Sequence, residues 1–226
     1  MLGKFRRYQQ IAELEGRQRT AKALENDISR RQRVPIAVID DQPFPPQNIL
    51  QNNGYDIRVL GDIKNLNEVE GFSIILCDLN GVGRYLDAKY QGAHIIEEIK
   101  RNHPEKFVGA YTGGGVDNEV IERANEAADF FIKKDEDVGE WRSKLDGILV
   151  LITNPIYVWK RQRFALVDAD VETLDILKLE DAFVKSILNE NELHFIGAVQ
   201  DLGIGKDARA IAQSLVASGI FGIMFG

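Results

Sequence analysis

The chain has 226 residues, 44% hydrophobic and 28% charged, enough to bury the core of one enlarged domain or of two small ones. Its net charge of −7 is unevenly spread: residues 1–33 carry nine Lys or Arg against four Asp or Glu, residues 34–150 twelve against twenty-one, and residues 151–226 seven against ten. That acidic bulk disfavours nucleic acid as a partner and leaves only the first segment suited to a polyanion or an acidic membrane surface.

Residues 1–33 are rich in Gln, Glu, Arg, Ala and Leu and lack proline, which predicts a helix. Leu14, Ala21 and Ile28 recur every seventh residue with Leu24 between the last two, but Arg17 and Arg31 interrupt a coiled-coil seam. Residues 34–150 then alternate strand-like and helix-like segments. Strands are expected at Val34–Ile39, Asp56–Leu60, Phe72–Cys77, Phe107–Tyr111 and Phe130–Ile132. Helices are expected near Gln47–Asn52, Ala93–Asn102, Val116–Ala128 and from Asp137 onward. Near-continuous apolar strands joined by helices indicate a parallel sheet covered on both faces.

Val138, Trp141, Leu145, Ile148 and Ile152 follow helical spacing, and Asn154-Pro155 suits the cap and first turn of a new helix to about Val167. Asp170 is expected to cap another over Val171–Leu188, with further helices near Glu192–Leu202 and Asp207–Ser218. The organisation is therefore an N-terminal helix (1–33), an α/β domain (34–150) and a helical C-terminal domain (151–226). Gly219, Gly222 and Gly226 in the apolar tail would permit close helix contacts or insertion at a membrane surface. Packing against Trp141, Trp159 and their neighbours is the simpler reading. The lone cysteine, Cys77, fits a reducing compartment and a buried thiol, and no secretory signal or spanning segment is apparent, so a cytoplasmic location is expected.

Chemistry concentrates at the strand ends. Asp40 and Asp41 close the first strand and Asp78 the third; Thr112 closes the fourth and Lys133 the fifth. In a parallel sheet these ends share one edge, where open α/β folds place ligand sites. Two carboxylates about 4 Å apart repel by ~4 kcal/mol at an effective dielectric near 20, so three at one edge need a cation, a proton or a lysine. Mg²⁺ suits such an oxygen set, and beside it one carboxylate can accept a phosphoryl group. Singly, Asp-Asp after a strand is a solvated helix start; the five residues together favour an acidic pocket. His94, His103 and His194 lack metal-ligand spacing, no Gly-x-Ser-x-Gly elbow occurs, and Gly203-Ile-Gly205-Lys206 reads as a helix-connecting turn.

In this order and on these strand ends, Ile39-Asp40-Asp41, Cys77-Asp78-Leu79-Asn80, Tyr111-Thr112-Gly113 and Ala128-Asp129-Phe130-Phe131-Ile132-Lys133 resemble the receiver domain of two-component response regulators. The resemblance covers about half the chain and implies a five-stranded, doubly wound, flavodoxin-like parallel sheet. It implies Asp78 as phosphoacceptor and Mg²⁺ as cofactor on Asp40, Asp41, Asp78 and the Asn80 carbonyl. Thr112 and Lys133 would contact the phosphoryl group, and Phe130 would hold the aromatic switch position. Implied partners are a histidine kinase or phosphotransfer protein and a second copy of the chain, with no turnover beyond self-phosphorylation and self-dephosphorylation. The sequence departs from the family in three ways: a longer loop, residues 81–91, before Gly92; a first helix shortened by Pro43, Pro45 and Pro46; and Lys134 where the family has proline after the lysine. The alternative is a pseudo-receiver scaffold whose helices serve oligomerisation.

Overall fold

The computed structural model describes residues 7–15 and 27–225. Five parallel strands form one sheet: β1 (Pro35–Ile39), β2 (Asp56–Val59), β3 (Ile74–Asp78), β4 (Phe107–Thr112) and β5 (Phe130–Lys133). They lie in the order β2-β1-β3-β4-β5, the doubly wound arrangement expected. Ile36 pairs with Ile74, Ile74 with Phe107, and Thr112 with Lys133. The three central strands are buried on both faces, hence their unbroken apolar runs, while β2 and β5 at the edges are only partly covered.

One face carries Ala37, Ile39, Ile75, Cys77, Val108 and Ala110, packed against α3 (Gly92–Asn102) and α4 (Asn118–Ala127). The other carries Ile36, Val38, Ile74, Leu76, Phe107, Tyr111 and Ile132. Over that second face lie the short α2 (Gln47–Asn52), α5 (Val138–Ile152) and the tail. The tail comprises α6 (Pro155–Asp168), α7 (Thr173–Asn189), α8 (Leu193–Asp201), α9 (Lys206–Ala217) and α10 (Ile220–Phe225). A single apolar cluster continues from the sheet into the tail, where Trp159 stacks on Phe183 at 5.1 Å and Phe221 meets Phe183 at 5.6 Å. α5 itself runs across the expected 150/151 boundary. No helix among the described residues is long and apolar enough to cross a membrane.

Capping explains most helix starts. Asp137 accepts hydrogen bonds from the Gly139 and Glu140 amides to open α5, and Asn154 accepts from Tyr157 to open α6. Asp170 departs from expectation: it sits in the left-handed region at φ 55°, completing the turn after α6, and α7 begins only at Thr173 with Glu172 as its cap residue. Between β2 and β3 the chain makes one 3₁₀ turn (Leu66–Val69), held by a reciprocal Asn65–Glu68 capping box.

Arg17, Ala21 and Leu24 of the expected N-terminal seam lie outside the described residues, as does Gly226. What is described of this segment docks on its own chain. The Gln9 and Ile11 amides donate to Asp181 (2.8 Å) and Glu180 (3.1 Å) of α7. In α1 (Asp27–Arg33), Arg31 makes a bidentate pair with Asp146 of α5 at 2.9 and 2.6 Å.

A polar cluster at the opposite end of the sheet ties the tail down. Glu105 accepts from the Ser214 hydroxyl of α9 at 2.8 Å, and the buried Lys106 donates to the Glu70 and Phe72 carbonyls. Burial, helped by Lys106, depresses the neighbouring His103 from 6.5 to about 4. Between those values the unfolded chain binds the proton and the folded chain does not, so stability falls on acidification from pH 6.5 to 4. The ring is partly solvated, so the loss expected from this group is about 1–2 kcal/mol. His103→Gln should remove that part of the slope in urea titrations at pH 7 and 4.5; an unchanged slope would contradict this origin.

Candidate functional site

The strand ends converge as the parallel topology requires. One carboxylate oxygen each from Asp40, Asp41 and Asp78 lie within 4.8 Å of one another, Asp40 and Asp78 buried and Asp41 exposed. Asp40 follows β1 and Asp78 is the last residue of β3. Asp40 Oδ1 accepts from the Gln42 amide at 2.9 Å, and Asp78 Oδ1 from the Asn80 amide at 3.4 Å. Asn80 itself is exposed beside them. The backbone of α3 approaches so closely that a Cβ on Gly92 would fall 1.9 Å from the Asp78 carbonyl oxygen. A side chain at Gly81, where φ is +88°, would press on the Asp41 carboxylate at 2.6 Å. Glycine is required at both positions.

The cation in the pocket is Lys134, not Lys133. Lys134 Nζ lies 2.7 Å from Asp40 Oδ2 and 3.0 Å from Asp78 Oδ2, whereas Lys133 is exposed. Strand parity gives the reason. No cis peptide occurs among the described residues, so alternation continues past β5. Phe131 points to the α3/α4 face while Phe130 and Ile132 point to the α5 face. Residue 134 follows them, toward Tyr111, whose ring centroid lies 5.6 Å from its ammonium. The Lys134 amide, donating to the Thr112 carbonyl at 2.9 Å, extends the β4–β5 pairing by one residue.

Thr112, buried at the end of β4, accepts a hydrogen bond from the Gly114 amide through its hydroxyl at 3.3 Å. Phe130 is half-buried, the tip of its ring over Gly109 of β4, where a Cβ would meet Cζ at 2.1 Å. Tyr111, absent from the expected set, donates its hydroxyl to Asp40 Oδ2 at 2.7 Å. Its signal in the sequence was faint: a phenol at the end of a buried strand needs a polar partner, and the strand ends are where carboxylates gather.

The loop over residues 81–91 is built rather than loose. The Gly83 amide donates to Asp62 at 2.7 Å, the Gly81 amide to the Gln91 side chain at 3.0 Å, and Asp87 accepts from the Lys89 and Tyr90 amides. The Arg123 guanidinium of α4 lies over the Tyr90 ring at 3.7 Å, while Tyr85 is left exposed.

Burial raises Asp78 above the ordinary carboxylate range, although Lys134 and the Asn80 amide pull against it. Burial would lower Lys134, but its bonds to Asp40 and Asp78 outweigh that and raise it, so it stays charged. Burial and the Asp40 charge push the Tyr111 phenol far up, keeping it a neutral donor. The oxygen set fits a hard divalent cation: two buried carboxylates and a third open to solvent, with the Lys134 ammonium as the competing charge that such an ion would displace. With its acidic, hydroxyl and ammonium groups at one edge, the site has the parts that phosphoryl transfer uses.

No protein-family model matches this chain, and no curated protein does. Among solved structures, the chain is similar to the beryllofluoride-activated receiver domain of DrrB, a Thermotoga maritima response regulator, at 26% identity. That match covers 51% of this chain and 97% of the other, with a TM-score of 0.42. A CheY-like receiver domain protein from Methanospirillum hungatei is 18% identical over 51% of this chain and 93% of its own, TM-score 0.42. A putative pilus assembly-related protein from Burkholderia pseudomallei is 13% identical over 53% and 91%, TM-score 0.41.

Proposed function

We propose that this chain is a response-regulator protein whose receiver half takes a phosphoryl group onto Asp78. The observation that carries the reading is the meeting of Asp40, Asp41 and Asp78 at one sheet edge, with the Lys134 ammonium on Asp40 and Asp78. The donor is a phosphohistidine of a histidine kinase or phosphotransfer protein. An Asp78 carboxylate oxygen attacks phosphorus, the P–N bond breaks, and the imidazole leaves with a proton from solvent. Asp40, Asp41, Asp78 and the Asn80 carbonyl would hold Mg²⁺, which supplies charge neutralisation on the phosphoryl oxygens. Lys134 then exchanges its carboxylate partners for the phosphoryl group, and Thr112 supplies a hydroxyl donor.

The chain acts as a switch rather than a turnover enzyme, in the cytoplasm. The phosphoryl group adds close to two negative charges at a strand end, and the output passes to the helices beyond α5, which govern self-association. Incubation with acetyl phosphate and Mg²⁺ should add one phosphoryl group by intact mass, and Asp78→Asn or EDTA should abolish it. Modification that survives Asp78→Asn would refute the assignment. A chain that never takes up phosphate, yet oligomerises identically with and without the substitution, would be the pseudo-receiver scaffold instead.

A further inference from the structure

Occupancy of the acidic pocket needs a physical route to the helical extension, and the aromatic residue of β5 is badly placed to supply it. The tip of the Phe130 ring sits against Gly109, where a Cβ would meet Cζ at 2.1 Å, so the ring is braced by β4. Tyr111 touches both ends of a shorter route. Its hydroxyl donates to Asp40 Oδ2 at 2.7 Å, and its ring meets Trp141 edge-on, centroids 5.7 Å apart at 77°. Phe44 closes the triangle, 5.6 Å from Tyr111 and 5.2 Å from Trp141. Trp141 is fully buried in α5, and its indole N–H has no hydrogen-bond partner among the described residues. Packing alone fixes its position. α5 then leads through the Asn154-capped turn into α6.

We propose that Tyr111 is a positioning residue that passes cation occupancy of the acidic pocket to Trp141 and so to α5. The inference rests on reading the pocket as a Mg²⁺ site. A cation on Asp40 competes with the Lys134 ammonium for Oδ2, because two positive charges repel at that distance. The neutral Tyr111 hydroxyl is not repelled and remains on the carboxylate when Lys134 leaves. Any re-aiming of Asp40 is therefore carried by the phenol, and a close-packed interior passes a ring's displacement to its neighbours.

The test uses the full chain carrying Trp159→Phe, which leaves Trp141 as the sole tryptophan. MgCl₂ binding is measured by calorimetry and Trp141 emission is recorded at a concentration that saturates this parent. The emission should change on binding, and adding Tyr111→Phe should remove more than half of the change while circular dichroism stays that of the parent. Retention of half or more overturns the proposal, as does a parent whose emission ignores bound Mg²⁺. A parent that binds no Mg²⁺ overturns the cation reading itself, and this inference with it. Hydrogen exchange of the unsubstituted chain gives a check that needs no variant to fold: Mg²⁺ should alter protection over Val138–Ile152, and unchanged protection there refutes the route.

Discussion

Lys134→Ala is expected to destabilise the protein by about 2–3 kcal/mol in EDTA, whereas Lys133→Ala stays within about 0.5 kcal/mol of the parent. Removing Lys134 leaves Asp40 and Asp78, 1% and 5% exposed, without their shared cation. Breaking one side of a buried ion pair typically costs about 3–5 kcal/mol; the Lys134 side chain is 19% exposed, so water recovers part of that. Lys133 projects to solvent and supports nothing comparable. Mg²⁺ should restore much of the lost stability in Lys134→Ala, because a divalent ion replaces the charge that the substitution removed. The midpoint shift on adding Mg²⁺ should thus be larger in Lys134→Ala than in the parent. Urea unfolding of the three proteins with EDTA and with Mg²⁺ decides it. A larger loss from Lys133→Ala, or a Lys134→Ala protein indifferent to Mg²⁺, would remove the basis for assigning the pocket lysine.

The same pair shows how far sequence reasoning reaches. The sheet was legible because β1, β3 and β4 are buried on both faces and so are written as apolar runs, with each chemical residue at or just past a strand end. Strand limits moved by one residue in most strands and by two at the start of β3, which begins at Ile74 rather than Phe72. Lys133 was the natural choice by resemblance to a family whose lysine is followed by proline. With Lys134 in place of that proline and a trans chain, period-two alternation assigns the pocket to the second lysine. Tyr111 was hidden because a tyrosine within a run of apolar residues reads as core, and only the tertiary fold puts its hydroxyl beside Asp40. The loop over residues 81–91 was visible as an insertion. Its stiffness depends on Asp62, Gln91 and the Tyr90–Arg123 stack, contacts for which local sequence has no signature. Asp170 misled for a related reason. Aspartate serves both helix caps and left-handed turns, and the tight exit from α6 used it for the turn.

If the helical extension is the output of the switch, its grip on the sheet should be measurable, and Arg161 is where that grip is strongest. Arg161 of α6 donates to the Pro104 carbonyl at 3.0 Å, to the Lys106 carbonyl at 2.7 Å, and to both Asp129 oxygens at 2.7 and 3.3 Å. Its guanidinium also lies over Phe107 of β4 at 4.2 Å. Arg161→Ala is expected to cost about 3 kcal/mol, through two carbonyls left with fewer donors and a half-buried carboxylate left with Lys100 and the Val108 amide. Arg161→Lys should recover less than half of this, since an ammonium cannot reproduce a planar fork that serves two carbonyls and a carboxylate at once. The pH dependence has a definite sign. Burial alone would raise Asp129, but Arg161 and Lys100 overcome it and hold the carboxyl below 3.8. The stabilisation from this pair is therefore complete at neutral pH and is lost as pH falls through the folded value. The gap between the parent and Arg161→Ala should narrow in strong acid, and one that stays constant from pH 7 to 3 would show that Arg161 acts through the Pro104 and Lys106 carbonyls and its packing on Phe107 rather than through Asp129. Hydrogen exchange supplies the structural half of the test: α6 and α9 amides should lose protection in Arg161→Ala ahead of β1 and β3. Uniform loss across sheet and helices would mean that the extension is inseparable from the sheet, which would leave no independent element for the pocket to move.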